Sequence, residues 1–260
     1  MARSSLKNIL KMVNNDDAGS QFINDLNFSI VKQDKLRMRT PSQSFKPSSM
    51  NCVRNMYFQV TGKEPVKDVP PSLIGIMESG TDRHERIQRS ITDMKESGID
   101  CEFIDVSDYV KEKKLNIKII DKKEYETKLY NTELNISFLC DGIVKYRGKY
   151  YILEIKTETS SKYWKHTGVR EEHIEQATTY SICLGINDIL FLYECRDFCD
   201  KKAFHLIITD EMKGSVISKI NEVNSAIQEE RIPEEPYKKD INFNRDYCRY
   251  CNYKYLCRRN

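Results

Sequence analysis

Asp141 and the triplet Glu154-Ile155-Lys156 carry side chains that can hold a hard cation and set an amine beside it. The segments 135–146 and 149–156 are rich in β-branched and aromatic residues, and Arg147-Gly148 between them has the composition of a tight hairpin turn. If those two residues alone form the turn, Tyr146 pairs with Lys149, and counting outward sets Asp141 opposite Glu154. Paired residues in a hairpin point to the same side, with Cβ atoms about 4.5–5.5 Å apart. The two-residue period of a strand brings Lys156 to that side as well. Facing carboxylates repel unless a proton or cation lies between them, so the pair suits a divalent metal on oxygen ligands, with the lysine left to orient a water or a phosphate. Taken alone, three such residues also fit a solvated charged face.

The elements around them predict an α/β fold with a mixed central sheet flanked by helices. Ser72 to Ser97 reads as a helix, with Pro70-Pro71 before it and Gly98 at its exit. Met77, Gly80, His84, Ile87, Ile91 and Met94 recur at spacings of three and four, which turns His84 toward the apolar face. On spacing alone it is a core histidine satisfied by one hydrogen bond. Gly80, lacking a side chain, would let this helix approach the sheet closely. Glu171 to Leu184 reads as a second helix ended by Gly185, with Gln176 and Tyr180 one turn apart on one face; Tyr180 packed in the core with Gln176 bonded beside it is the plain alternative. Asp188 to Glu194 and Ala203 to Thr209 are expected strands, and Val216, Ile220, Val223 and Ile227 mark an amphipathic helix ended near Pro233. Residues 1–45 are polar and weakly periodic, an arm that either lies over the core as a helix or binds a partner.

At 260 residues with 39% hydrophobic and 31% charged residues, the chain can bury a full core. The absence of a long apolar run or signal-peptide stretch implies no membrane and a cytoplasmic location. A net charge of +3 says little, but residues 237–260 hold seven Lys/Arg against Asp240 and Asp246, a local +5. Interleaved with Tyr247, Tyr250, Tyr253 and Tyr255, these cations suit a phosphate backbone and bases as well as a solvated terminus. Nine cysteines in a reducing compartment leave burial or metal binding as explanations. Cys101, Cys140, Cys183, Cys195 and Cys199 adjoin apolar segments and are expected in the core. Cys248, Cys251 and Cys257 form a compact set that needs a fourth ligand, for which Cys52 is the candidate. The segment around Cys52 reads as a helix capped by Ser48 or Ser49 and ended at Gly62.

In this order the pieces resemble the PD-(D/E)XK nuclease superfamily, and within it the RecB-like branch with a four-cysteine iron-sulfur cluster, which includes AddB-type and CRISPR-associated adaptation exonucleases. The resemblance runs from Lys46 to Arg259 on Cys52, Gly80-x-x-x-His84-Glu85, Asp141, Glu154-x-Lys156, Gln176-x-x-x-Tyr180 and the last three cysteines. It implies a restriction-endonuclease-like core over residues 46–260, preceded by an arm at 1–45 and closed by the cysteine cluster at 237–260. His84, Asp141, Glu154 and the backbone carbonyl of Ile155 would bind Mg²⁺ or Mn²⁺, the histidine somewhat favouring Mn²⁺. Asp141, Glu154 and Lys156 would be catalytic, and Gln176 and Tyr180 would contact a DNA strand. Cys52, Cys248, Cys251 and Cys257 would hold a [4Fe-4S] cluster that clasps the N- and C-terminal parts. Zinc is the competing occupant, although zinc sites usually show two short Cys-x-x-Cys knuckles and this chain has one. Phe138 stands where the family often has glycine, and Cys140 replaces the proline of the superfamily name; the bulk of Phe138 bears on how closely DNA or metal approaches Asp141. In the loop 157–170, Lys162 and Trp164 would hold the strand, the indole by stacking on an unpaired base.

The implied activity is metal-dependent hydrolysis of DNA, in the first place a single-strand exonuclease processing DNA ends in recombination, replication or repair, with a helicase or recombination protein as partner. A catalytically inactive DNA-binding scaffold and a structure-specific or duplex endonuclease are the alternatives. The richness in Lys, Asn, Ile and Tyr fits the AT-rich genome of a phage or a low-GC bacterium.

Overall fold

One strand of the central sheet begins at Gly142, where a residue without a side chain lets the chain change direction. In the computed structural model, which describes residues 17–37, 43–65, 69–122, 126–165, 167–236, 246–249 and 251–258, the chain divides into two units, 1–40 with 67–79 and 41–66 with 80–260. Helix α1 (Asp17–Leu36) lies in the first, where Arg37 and Glu78 form an exposed ion pair at 3.0 Å. The second unit holds helix α2 (Val53–Val60) and most of helix α3 (Pro71–Glu96), whose exit is at Gly98 as the sequence implies.

Strands β1 (Cys101–Ile104), β5 (Gly142–Tyr146), β6 (Lys149–Glu158), β7 (Asp188–Cys195) and β8 (Lys201–Ile207) form a five-stranded sheet in the order β1-β5-β6-β7-β8. All its pairings are antiparallel except β6 with β7. A separate three-stranded sheet is made of β2 (Ile117–Lys122), β3 (Thr127–Asn131) and β4 (Ile136–Cys140). Short helix α4 (Val106–Glu112) leads into it, capped by the Asp105 carboxylate, which accepts the Ser107 N–H at 2.7 Å. The fold class is therefore the expected one, a mixed α/β sheet flanked by helices.

Alternation along the strands separates two apolar layers. On one face Val144, Leu153 and Ile155 pack with Ile87, Ile91 and Met94 of α3. On the other, Ile143, Ile152, Phe191 and Tyr193 join Ala177, Tyr180, Cys183 and Leu184 of helix α6 (Glu171–Leu184), and Val216, Ile220 and Val223 of helix α7 (Asp210–Gln228). The helix ending at Gly185 is as read from sequence, with that glycine in the left-handed conformation of a C-cap. Between β6 and α6 lies the short helix α5 (Ser160–Tyr163).

Several expectations are corrected. The segment 135–146 is not one strand: it breaks at Asp141, β4 belonging to the small sheet and β5 to the large one. Gly142 makes this break, with φ at +149° and the Phe103 ring 2.5 Å from where a Cβ would stand. Helix α2 is capped at Cys52, not at Ser48 or Ser49, because Pro47–Ser49 form a 3₁₀ turn of their own and the Ser49 hydroxyl bonds the Lys46 carbonyl and Gln59. Gly80 does not serve a close approach, since an added Cβ there would meet open space. Cys199 is exposed on the turn after β7, while Cys101, Cys140, Cys183 and Cys195 are buried as expected. Phe45, at the end of the expected arm, is a core residue bridged to Ile136.

Candidate active site and cysteine cluster

The hairpin register is the one counted from sequence: Tyr146 pairs with Lys149 and Gly142 with Leu153, so the next step sets Asp141 against Glu154. Because the chain leaves the ladder at Gly142, the N–H of Ile155 lacks a strand partner on that side, and the Asp141 carboxylate takes it at 2.7 Å. Asp141 is thus a carboxylate standing in for a strand. Its other oxygen meets His84 Nδ1 at 3.1 Å, and Gln88, one turn further along α3, donates to the Asp141 carbonyl at 2.5 Å. Glu154 is fully buried on the α6 face, its carboxylate ion-paired with Lys156. Lys156 Nζ also donates to Gln176 Oε1 at 3.2 Å, and Gln176 Nε2 donates to the Tyr180 hydroxyl at 2.7 Å. His84, Asp141, Glu154, Lys156, Gln176 and Tyr180 are therefore linked in two contiguous chains of contacts around one sheet end.

Electrostatics distinguish the two carboxylates. Burial works against the charge on Asp141, but His84, Lys156 and the Ile155 N–H outweigh it and hold this carboxyl below its ordinary value. Glu154 has fewer donors, and its burial outweighs the attraction of Lys156 and, with a smaller repulsion from Asp141, pushes it up to about 7. Burial would strip the proton from Lys156, yet Glu154 and Asp141 more than compensate and raise it. His84 likewise loses to burial and gains more from Asp141, ending above its usual value. Burial also places the Tyr180 phenol well above its usual range.

As the side chains stand, no three His, Cys, Asp or Glu groups among the described residues form a ready-made metal cage. The donor set nonetheless suits a hard divalent cation: two carboxylates repel across a buried space, one of them carrying a proton near neutrality, with an imidazole alongside. Ile155 contributes a buried side chain to the α3-side layer and its N–H to Asp141. Phe138 points into the core, its ring 5.9 Å from that of Tyr180.

The C-terminal segment comes back beside α2. Tyr253 is buried with its ring 5.8 Å from Phe58, so of the four tail tyrosines this one is core and cannot serve bases. Tyr255 is exposed with Lys254 over its ring at 5.3 Å, and Tyr250, residues 237–245 and the terminal cations Arg259 and His166 of the earlier loop lie outside the described residues. Cys52 is pushed up to about 11, first by burial, with the N–H groups of Asn55 and Arg54 opposing and the charges of Cys251 and Cys257 adding to the rise. Cys257 is raised by burial and feels Cys248 and Cys251, and the Tyr253 N–H donates to Cys251 Sγ at 3.4 Å. Cys52, Cys251 and Cys257 are each raised, first by burial, and two of them receive backbone N–H groups; these thiols, with Cys248, have the soft-donor chemistry of a zinc or iron-sulfur site, although they do not stand as a ready-made cage.

Two features went unnamed in the sequence reading. Gln88 was legible as the residue four after His84. Glu194, inside an apolar strand, is wholly buried and accepts from Arg86 at 2.6 and 2.7 Å and from Arg83 at 3.0 Å, which anchors the helix on both sides of His84. Beyond the strand end, Lys162 is exposed and Trp164 is 58% exposed, with Lys202 Nζ 5.3 Å from the indole.

No protein-family model matches the chain, and no curated protein matches it in sequence. Among solved structures it is similar to that titled SSO0001, at 12% identity and TM-score 0.47, over 90% of this chain and 96% of that one. It is also similar to an alkaline exonuclease (LHK-Exo) from Laribacter hongkongensis, at 14% identity and TM-score 0.44, over 73% of this chain and 90% of that one. The same exonuclease in complex with dAMP gives 14% and 0.45 over 72% and 89%. No helix among the described residues is long and apolar enough to cross a membrane.

Proposed function

We propose that this protein is a metal-dependent nuclease that hydrolyses DNA phosphodiesters, acting on single strands from their ends. The observation that carries the reading is the meeting of His84, Asp141, Glu154 and Lys156 at the point where β5 leaves its ladder, with Lys156 tied to Gln176 and Tyr180. His84, Asp141, Glu154 and the carbonyl of Ile155 would hold Mg²⁺ or Mn²⁺, which when bound polarises the scissile phosphate and lowers the pKa of the attacking water. Asp141 is kept ionised and fixed in direction by the Ile155 N–H, so it can serve as an anionic ligand without reorganising. Lys156 keeps its proton and therefore acts as a positive charge that stabilises the negative charge growing on the phosphate, not as a base. Gln176 fixes the direction of that ammonium through its carbonyl oxygen, and Tyr180 in turn fixes the orientation of the Gln176 amide. Lys162 and Trp164 are assigned to the strand.

A [4Fe-4S] cluster on Cys52, Cys248, Cys251 and Cys257 belongs to the same proposal, with the role of tying the C-terminal segment to α2. The test is digestion of end-labelled single-stranded and duplex DNA with Mg²⁺ or Mn²⁺, alongside covalently closed single-stranded circles. Linear single strands should be degraded and circles spared, and Lys156→Ala should lower the rate by about 10²-fold. Cleavage of circles would replace the exonuclease reading with an endonuclease. Binding without cleavage under every metal would leave a scaffold.

A further inference from the structure

The turn between β7 and β8 is pinned from several directions. Arg83, the neighbour of His84 on α3, donates to the Arg196 carbonyl at 3.0 Å, and the Arg196 N–H donates to the Glu158 carbonyl at 2.7 Å. From α5, the Ser160 N–H donates to the Asp197 carboxylate at 2.8 Å. Lys202, just past the turn, donates to the Tyr163 carbonyl at 2.8 Å and stands over the Tyr163 ring at 4.4 Å. The turn thus bridges the helix that carries His84 and the helix that leads into Trp164.

Two large rings on this bridge are left in water: Phe198 at the turn is 67% exposed and Trp164 58%. The rest of the region is polar and cationic. One buried carboxylate, Glu194, serves three cations, Arg83, Arg86 and Lys201, and Lys162 and Lys165 are exposed nearby in sequence to Trp164. Asp197 and Asp200 are the acids on the turn, and Asp197 is already engaged by Ser160. Exposed flat rings among excess cations match a polyanion that offers flat apolar faces. An unpaired nucleic-acid strand has both, whereas a duplex hides its bases in its own stack.

We infer that the β7–β8 turn and Trp164 form a strand-holding rim beside the active site, on which bases of single-stranded DNA stack against Trp164 and Phe198 while the more exposed cations Arg86, Lys201 and Lys162 face its phosphates. This rests on the nuclease reading and extends it by assigning the turn, and Phe198 in particular, to unpaired DNA.

Trp164 is the chain's only tryptophan, so its emission reports on the rim without any cleavage. The full-length protein in a chelating buffer is titrated with an oligo-dT, with an abasic deoxyribose-phosphate strand of equal length and with a blunt duplex, and binding is followed in parallel by anisotropy of end-labelled strands. Oligo-dT should quench the emission to saturation, the abasic strand should bind more weakly without quenching, and the duplex should bind more weakly than oligo-dT. Phe198→Ala should weaken oligo-dT binding about tenfold and leave abasic binding unchanged, because stacking on one ring is lost and the charges remain. Oligo-dT binding that leaves the emission unchanged, or a Phe198→Ala variant that binds oligo-dT as the parent does, overturns the rim. Degradation of linear DNA with Mn²⁺ is measured on the same samples. Cleavage without quenching rejects the rim and keeps the nuclease; quenching without cleavage under any divalent ion does the reverse.

Discussion

Metal binding at Asp141 and Glu154 should be strongly pH-dependent across the neutral range. The perturbation is a shift from pH 8 to pH 6 with no DNA present, and the affinity for Mn²⁺ is measured by titration calorimetry. Glu154 is held near 7 in the metal-free protein by burial and by Asp141, so at pH 6 it is mostly protonated and must release that proton to become a ligand. For one group titrating at about 7, the apparent affinity should fall about tenfold between pH 8 and pH 6, the ratio of its ionised fractions. The sign is fixed: affinity rises with pH and levels off above the raised value. His84, also raised above its ordinary value, loses a second proton if its nitrogen is a ligand, which steepens the fall on the acidic side. Titration in two buffers of different ionisation enthalpy counts the protons released. The same group makes the metal-free fold less stable as pH climbs from the ordinary carboxyl value of 4.5 toward 7, because the folded state prefers the protonated form, and added Mn²⁺ should return that stability. An affinity that is flat from pH 6 to 8, or a Glu154→Gln variant with the same slope as the parent, would refute the argument.

Gly142→Ala should lower stability by about 2–4 kcal/mol, since φ at +149° and the Phe103 ring 2.5 Å away both oppose a Cβ, and thermal unfolding with and without Phe103→Ala should show partial rescue by the second change. Glu194→Ala should cost about 2–3 kcal/mol by stranding Arg83 and Arg86, less than a sealed site would because both arginines keep some water, and Mn²⁺ affinity should drop along with stability as the His84 helix loses its anchor. Protein purified without air should be brown and contain iron and inorganic sulfide, and Cys257→Ser should lower soluble yield, stability and DNA binding together; stoichiometric zinc in a colourless, active protein would replace the cluster by a zinc site.

Where local pattern governs geometry, the sequence was enough. Arg147 and Gly148 both take positive φ, as a primed two-residue turn requires, and that turn sets the register placing Asp141 against Glu154. The spacing along 72–97 turned His84 inward, and the three- and four-residue spacing of Ile87, Ile91 and Met94 matches their packing on the sheet. What stayed hidden depends on contacts distant in the chain. Glu194 looks like one polar residue in an apolar strand until α3 supplies Arg83 and Arg86, more than a hundred residues earlier. Tyr253 reads as a surface aromatic of a basic tail, yet the ring of Phe58 covers it. Gly80 was given a packing role by its place in a motif, but no neighbouring atom stands within 4 Å of where its Cβ would be.

The break at Asp141 escaped the sequence for a different reason, and it bears most directly on function. Residues 135–146 are uniformly β-forming, so propensity alone predicts one strand running through Asp141. An aspartate in an unbroken ladder would have its backbone paired on both sides and its carboxylate pointed only by its rotamer. Here the ladder stops at Gly142, and the Ile155 N–H that a continued strand would satisfy is taken by the Asp141 carboxylate instead. That bond fixes one carboxylate oxygen and leaves the other facing His84. A glycine with positive φ is thus what converts a strand residue into an oriented carboxylate: with that carboxylate as the proposed metal ligand, adding a methyl group at 142 should disturb metal affinity even in molecules that still fold.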